Sequence, residues 1–263
     1  MSKNLINNIY EKIFDDISKE ISTKDFQECL KKVQKVDSHY YKEKITIEDL
    51  KKYLLQCKSD EKYEYEDNKI MILQRGNPEI IFQICLEMLK NKTVEVEIVI
   101  QDFCLGQNML IIETINEILK QNRVNKKINL ENNLKDNQIL EISKGFNKVI
   151  CIGDSNLYNR LENKIPNLEL NPYGIFEVYS DSDEFEELEE TFFEYCYQKE
   201  FEAESYNDIE FKDVVRLINK NGYKFSVVLF SKDEEKQKEF REKIESKYVI
   251  INKNPFKEIK FEL

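Results

Sequence analysis

Isoleucines recur at three- and four-residue steps near the start of the chain. Ile6, Ile9, Ile13, Ile17 and Ile21 fall on one stripe, the spacing of an amphipathic helix, and residues from about 5 to 57 read as helical throughout. The pattern then changes. Tyr63-Glu64-Tyr65-Glu66 and Lys69-Ile70-Met71-Ile72-Leu73 flank Asp67-Asn68, which predicts a hairpin. Pro78 opens a dense apolar helix through Ile81, Ile84, Cys85, Met88 and Leu89, because proline is tolerated in a first turn. Val94, Val96, Ile98 and Ile100 alternate as a strand. A helix bearing Ile112, Ile115 and Leu119 follows, then a short strand near Ile128 and a strand at Val149-Ile150-Cys151-Ile152.

A second unit begins near Asn171-Pro172-Tyr173-Gly174. It offers a strand from Ile175 to Tyr179, an acidic helix from Asp183 to Tyr197 and a helix from Phe211 to Lys220. A strand from Phe225 to Phe230, a charged helix from Lys232 to Ser246 and a strand from Tyr248 to Asn252 complete it. Helix and strand alternating in this way predict the α/β class, with parallel strands in the core of the sheet.

Composition narrows the class. With 263 residues, 41% hydrophobic and 11% aromatic, the chain can bury a proper core, and 6 glycines with 4 prolines exclude collagen-like and low-complexity sequences. Charged residues interrupt every apolar run well short of the ~20 residues a membrane span needs. The start, Met1-Ser2-Lys3-Asn4, leads into a mixed polar helix and not into a signal peptide. A net charge of -11 opposes general nucleic-acid binding. The expected location is the cytoplasm, with no membrane and no nucleic acid as partner. The 6 cysteines, Cys29, Cys57, Cys85, Cys104, Cys151 and Cys196, form no Cys-x-x-Cys, and there is 1 histidine. They read as reduced thiols, and no metal site is expected.

Few residues suggest chemistry. Asp37-Ser38-His39 carries the residue types of a triad, but adjacent residues cannot adopt its geometry. The acidic run Asp181 to Glu187 reads as a helix start, with Ser182 or Asp183 as cap and Phe185, Leu188 and Phe192 turned inward. It lacks the spaced ligands and loop glycine of a calcium site. The turn Ile152-Gly153-Asp154-Ser155-Asn156 joins a strand to a helix start, where backbone amides can meet a phosphate. Gly153 and Ser155 are therefore the candidate cofactor residues, although Asp154 puts a carboxylate beside the anion and an ordinary strand-to-helix turn is the competing reading.

Taken together, several stretches resemble the aldehyde dehydrogenase superfamily in a shortened, degenerate form. Leu168-Glu169-Leu170-Asn171-Pro172-Tyr173 is similar to the family's Leu-Glu-Leu-Gly-Gly-Lys, and Tyr179-Ser180-Asp181-Ser182-Asp183-Glu184-Phe185 to the strand, Ala-Asp-Ala-Asp-Leu and helix that follow it. Lys148 to Ser155 resembles the strand and Phe-Thr-Gly-Ser-Thr turn beside the nicotinamide cofactor. Gly76-Asn77-Pro78 stands in the place of Pro-Phe-Asn-x-Pro, and Asn91-Lys92-Thr93-Val94 matches Gly-Asn-Thr-Val. Ile218-Asn219-Lys220-Asn221-Gly222-Tyr223 through Ile251-Asn252 resembles the strand–helix–strand that closes on Ile-Asn. These matches keep family order from about Lys69 to Asn252. Residues 1–60 are expected as N-terminal helices from their periodicity, and the resemblance implies 61–165 as a Rossmann-like cofactor-type domain and 166–263 as a reduced catalytic-type α/β unit.

By the same resemblance, Glu169 matches the general base and Asn77 the oxyanion-hole asparagine. Structural roles compete for both: a helix cap for Asn77 and an exposed strand-end carboxylate for Glu169. The family's nucleophilic cysteine falls at Glu200, with Cys196 one helical turn too early, and only a short linker is expected between Gln198 and Phe211. Glu97 replaces a cofactor-contacting lysine, and Tyr158 replaces a glycine of the cofactor turn. A base and an oxyanion donor without a thiolate cannot form the thiohemiacetal that precedes hydride transfer.

The expectation is a catalytically vestigial protein acting as a binding or interaction module, with no cofactor. The alternative is an NAD- or NADP-dependent aldehyde or acyl-CoA oxidoreductase using Cys196; a third reading is a generic doubly wound sheet. Protein partners or a second copy are expected at sheet edges, from the hairpin Tyr63–Leu73 or the terminal segment Glu258 to Leu263.

Overall fold

In a computed structural model of the chain, which describes residues 3–37, 44–58, 69–90, 95–101, 104–198, 201–221 and 226–255, the isoleucine stripe becomes helix α1 (Lys3–Ile21). Ile13, Ile17 and Ile21 are at most 1% exposed. Helices α2 (Lys24–Asp37) and α3 (Ile47–Lys58) follow. Each starts at a threonine. Thr23 Oγ1 accepts from the Phe26 amide at 3.1 Å, and Thr46 exchanges hydrogen bonds with Asp49 in both directions, a reciprocal cap that satisfies amides the helix cannot.

The chain divides into two units, Met1–Cys151 with Leu161–Glu169 and Glu262–Leu263, and Ile152–Arg160 with Leu170–Phe261. In the first, strands β1 (Lys69–Gln74), β2 (Glu95–Ile100), β3 (Lys127–Asn132), β4 (Lys148–Ile152) and β5 (Leu168–Asn171) form one sheet in the order β3-β2-β1-β4-β5. β1 runs parallel to both β2 and β4, with Leu73 opposite Val99 and Cys151, and β2 runs parallel to β3. Helices α4 (Pro78–Lys90), α5 (Leu105–Gln121) and α6 (Asp136–Ser143) connect these strands. The central strands are near-continuous apolar runs, as parallel strands covered on both faces must be: Met71, Ile72 and Leu73 have no exposure.

The second unit repeats the scheme. β6 (Ile175–Ser180), β7 (Glu202–Ser205), β8 (Ser226–Phe230) and β9 (Tyr248–Ile251) lie in the order β7-β6-β8-β9, every pair parallel. Helix α7 (Ser155–Leu161) opens the unit, and α8 (Glu186–Gln198), α9 (Phe211–Asn221) and α10 (Glu234–Lys243) link its strands. Alternate residues supply two cores. Phe176, Val178, Val228 and Phe230 pack with Phe192 and Cys196 of α8. Tyr179, Val227, Leu229 and Ile251 pack with Phe211, Val214, Ile218 and Phe240. The fold is α/β with parallel sheets, as the periodicity predicts, and Rossmann-like, as the resemblance implies.

Three expectations change. Lys69 to Leu73 lies in β1, which has strand neighbours on both sides, so it offers no free edge; residues 63–68 lie outside the described residues, as does Glu258 to Leu263. The expected linker between Gln198 and Phe211 contains β7, whose Glu202 to Ser205 pair with Ile175 to Val178. It escapes a periodicity search because a four-residue strand with two acidic positions has almost no apolar signal. The helical stretch to residue 57 is broken into three, with Ile45 1% exposed between α2 and α3. Among the described residues, no helix is long and apolar enough to cross a membrane.

The N-terminal helices are fixed to the first unit by Asp37. Its Oδ1 accepts from the Gly106 amide at 3.2 Å and its Oδ2 from the Gln107 amide at 3.0 Å, at the start of α5. Gly106 permits the approach, since a Cβ there would meet Asp37 Oδ1 and Val33 Cβ at 3.1 Å. Asp37 is thus a structural acceptor and no part of a triad; Ser38 and His39 lie outside the described residues. Replacing Asp37 with alanine leaves two helix-start amides without their acceptor, at a cost of ~0.5–2 kcal/mol. Thermal unfolding of Asp37→Ala is expected to fall by about 2–4 °C per kcal/mol for a domain of this size; an unchanged midpoint contradicts the assignment.

Candidate functional site

Ligands of open α/β sheets bind outside the carboxyl ends of the strands, where strand order reverses. In the first sheet the reversal falls between β1 and β4. β1 ends at Gln74, whose Oε1 accepts from the amides of Gly76 and, at 2.9 Å, of Asn77. Asn108 of α5 donates its Nδ2 to the Gly76 carbonyl at 2.7 Å. Asn77, 4% exposed, turns its Oδ1 to the amides of Glu79 at 2.9 Å and Ile80 at 3.2 Å. Three carboxamides therefore knit this turn to the chain's own backbone. At the end of β2, Gln101 Nε2 is buried with no hydrogen-bond partner among the described residues.

The Gly153 turn belongs to the second unit. Gly153 has φ 63°, and its amide donates to the Asn171 carbonyl at 3.0 Å. A Cβ at Gly153 would come within 2.6 Å of the Tyr173 carbonyl oxygen. The glycine is required by backbone crowding and a left-handed conformation. Asp154, 7% exposed, accepts from the Leu157 amide at 2.8 Å, and the Ser155 amide donates to Glu202 Oε1 at 3.2 Å. Two carboxylates thus occupy amides that a phosphate would use. Tyr158 continues the helix, its amide bonded to the Asp154 carbonyl at 3.0 Å. These residues do not fit a pyrophosphate.

Glu169 lies on β5 with its side chain 62% exposed, paired at 2.8 Å with Lys148. Cys196 is 2% exposed on α8 among Phe176, Phe192, Val228 and Phe230, and burial pushes its thiol well above the ordinary range. Cys85, Cys104 and Cys151 are also buried, while Cys29 is exposed on α2. Glu200, which stands in the place of the family's cysteine, lies outside the described residues. Glu97 sits mid-strand in β2, opposite Met71 and Asn129. It is removed from the carboxyl end of β2, so the position that the resemblance matches to a cofactor-contacting lysine does not lie where strand ends bind ligands. Among the described residues no group of three or more His, Cys, Asp and Glu could hold a metal ion.

Sequence reading missed the reversal in the second sheet, between β6 and β8. There Asp181 pairs with Lys236, which holds that ammonium above its usual pKa, and Glu184 pairs with Lys232. Ser182 makes no side-chain cap. Asp233 caps α10 through the amides of Glu235 and Lys236 at 2.9 and 3.1 Å. Asn252, at φ 53°, clamps the backbone of Ser231 from both sides, at 2.9 and 2.8 Å. The Ile251-Asn252 pair noted in the sequence thus has a local structural task, and the signal that locates this crevice is strand order.

No family model matches the sequence, and no curated protein matches it either. Among solved structures, gamma-glutamyl phosphate reductase from Thermotoga maritima superposes with a TM-score of 0.58 at 12% identity, over 96% of this chain and 83% of that one. The same-named enzyme from Saccharomyces cerevisiae gives 0.48 at 11% identity, over 98% and 89%. The first likeness is one of fold, and the α/β fold is of the aldehyde dehydrogenase type.

The burial of the Glu97 carboxyl is testable. The residue is 8% exposed, and desolvation raises its pKa above the ordinary 4.5, partly offset by the hydrogen bond from Asn129. A carboxyl with a raised folded pKa favours folding fully at pH below the unfolded value, and that contribution is lost as pH rises through the folded value. Glu97→Gln abolishes the titration. Its thermal midpoint is expected to exceed wild type at pH 7, by about 2–4 °C for each ~1 kcal/mol recovered, and to converge with it below about pH 4.5. A gap that is constant with pH contradicts the burial argument.

Proposed function

We propose that this chain is a catalytically vestigial, aldehyde dehydrogenase-like protein that works in the cytoplasm as a binding module. The burial of Cys196 carries the reading. A thiol 2% exposed in an aromatic cluster, with its ionisation opposed by desolvation, supplies neither the thiolate nor the access that covalent catalysis on a carbonyl needs. The alternative oxidoreductase using Cys196 would have to unpack that core. The surviving asparagine and glutamate support the same reading: Asn77 spends its oxygen on its own helix, and Glu169 is an exposed partner of Lys148.

Loss of the cofactor belongs to the proposal. A dinucleotide would have to displace Asp154 and Glu202 from the start of α7 and would meet their negative charge in doing so. The fold neighbour is named as a reductase of gamma-glutamyl phosphate, so an acyl phosphate is the substrate class to try beside aldehydes.

The purified protein is to be assayed with short and long aldehydes, acyl-CoA and gamma-glutamyl phosphate, each with NAD(H) or NADP(H). No turnover is expected, and iodoacetamide is expected to label Cys29 while sparing Cys196 until the chain is denatured. Turnover that Cys196→Ala abolishes would overturn the proposal.

A further inference from the structure

Among the described residues β3 is an outer strand of the first sheet, and its edge carries a side-chain imitation of a missing strand. Asn116 of α5 donates its Nδ2 to the Ile128 carbonyl at 2.7 Å and accepts from the Ile128 amide at its Oδ1, at 3.1 Å. A peptide group in a neighbouring strand would make the same two bonds. Asn116 satisfies one residue of β3. Side chains and backbone directions repeat every second residue along a strand, so Leu130 and Asn132 turn their amides and carbonyls to the same outer side as Ile128, beyond the reach of that one carboxamide.

Beside this edge lies a cleft of about 620 Å³, lined by β3, by one side of α5 and by Glu97. Glu97 is 8% exposed; its Oε2 accepts from Asn129 Nδ2 at 3.0 Å, and the residue lines the cleft. Glu113 and Glu131 line the same cleft, against the single ammonium of Lys127. Met109, 44% exposed, adds an apolar contact in its wall. The groove thus offers main-chain pairing, net negative charge and a hydrophobic anchor.

We propose that the outer edge of β3 binds an extended, basic peptide segment of another protein as an added strand, its backbone pairing with Leu130 and its lysine or arginine side chains meeting Glu97 and Glu131. Main-chain bonds give such complexes their affinity and alternate side chains their specificity. A second copy of this chain fits poorly, because two β3 edges would bring like charges together, which is destabilising across strands. The site is independent of whether the chain turns over an aldehyde, so it stands or falls apart from the reading above.

The probe is a fluorescent, end-blocked octapeptide of alternating lysine and valine, followed by anisotropy against the full chain. Saturable binding is expected, weakened about tenfold or more by Glu97→Gln with Glu131→Gln. A twin N-methylated at alternate residues keeps the charge but lacks the strand donors, and is expected to bind at least about tenfold more weakly. Hydrogen exchange at the Leu130 amide is expected to slow when the unmodified peptide is present. Melting curves confirm that the double variant is folded. The proposal is overturned if nothing saturates by about 1 mM, if the N-methylated twin or spermine competes as well as the peptide, or if Leu130 exchange is unchanged at saturation.

Discussion

A parallel sheet delivers the amino end of a helix to the edge where a strand stops, and the first amides of that helix have no acceptor within it. In nucleotide-binding sheets a phosphate can fill the vacancy. Here the chain fills it from its own side chains. Asp37 closes the start of α5, Asn77 that of α4, Asp154 and Glu202 that of α7, and Asp233 that of α10. Each acceptor stabilises a helix by interacting with its positive end, and each puts a carboxylate or a committed carboxamide where a phosphate would otherwise sit.

The consequence runs through both units. Each sheet reverses its strand order once, so each possesses the crevice from which sites are built in this class. In the first, Gln74, Asn77 and Asn108 tie down the turn after β1. In the second, the pair Lys236–Asp181 and the clamp of Asn252 on Ser231 occupy the corresponding edge. The scaffold persists because its central strands are buried on both faces, which depends on apolar patterning and not on any reactive group. A thiol such as Cys196 can then be retained purely as a small core residue.

The class and most of the elements were legible because they rest on period. The strands at Ile175, Ser226 and Tyr248 and the helices between them follow from alternation and from apolar steps of three and four. β7 was not legible as a strand, because its four residues carry polar positions on both faces; β5 alternates leucine with polar residues over only four positions, and for both it is pairing with a neighbour, which no local pattern encodes, that makes the strand. The site was legible only as residue types. Gly153 reads in sequence as a phosphate-turn glycine, yet the crowding of the Tyr173 carbonyl accounts for it. Asp37 and Glu202 reach their helix starts from 69 and 47 residues away, distances over which sequence spacing carries no information. Likewise the bidentate contact of Asn116 with Ile128 needs the crossover from α5 to β3 to be folded before it can be seen.

Filled helix starts are the centre of this account, and they are observable one amide at a time. NADPH and NADH titrated into isotope-labelled protein to millimolar concentration, with the amides of Gly106, Gln107, Ser155 and Leu157 followed by heteronuclear NMR, should leave all four resonances in place. A saturable shift at Ser155 and Leu157, lost when Gly153→Val is introduced into a chain shown to remain folded, would mean that a phosphate displaces Asp154 and Glu202, and the account would be wrong at its core.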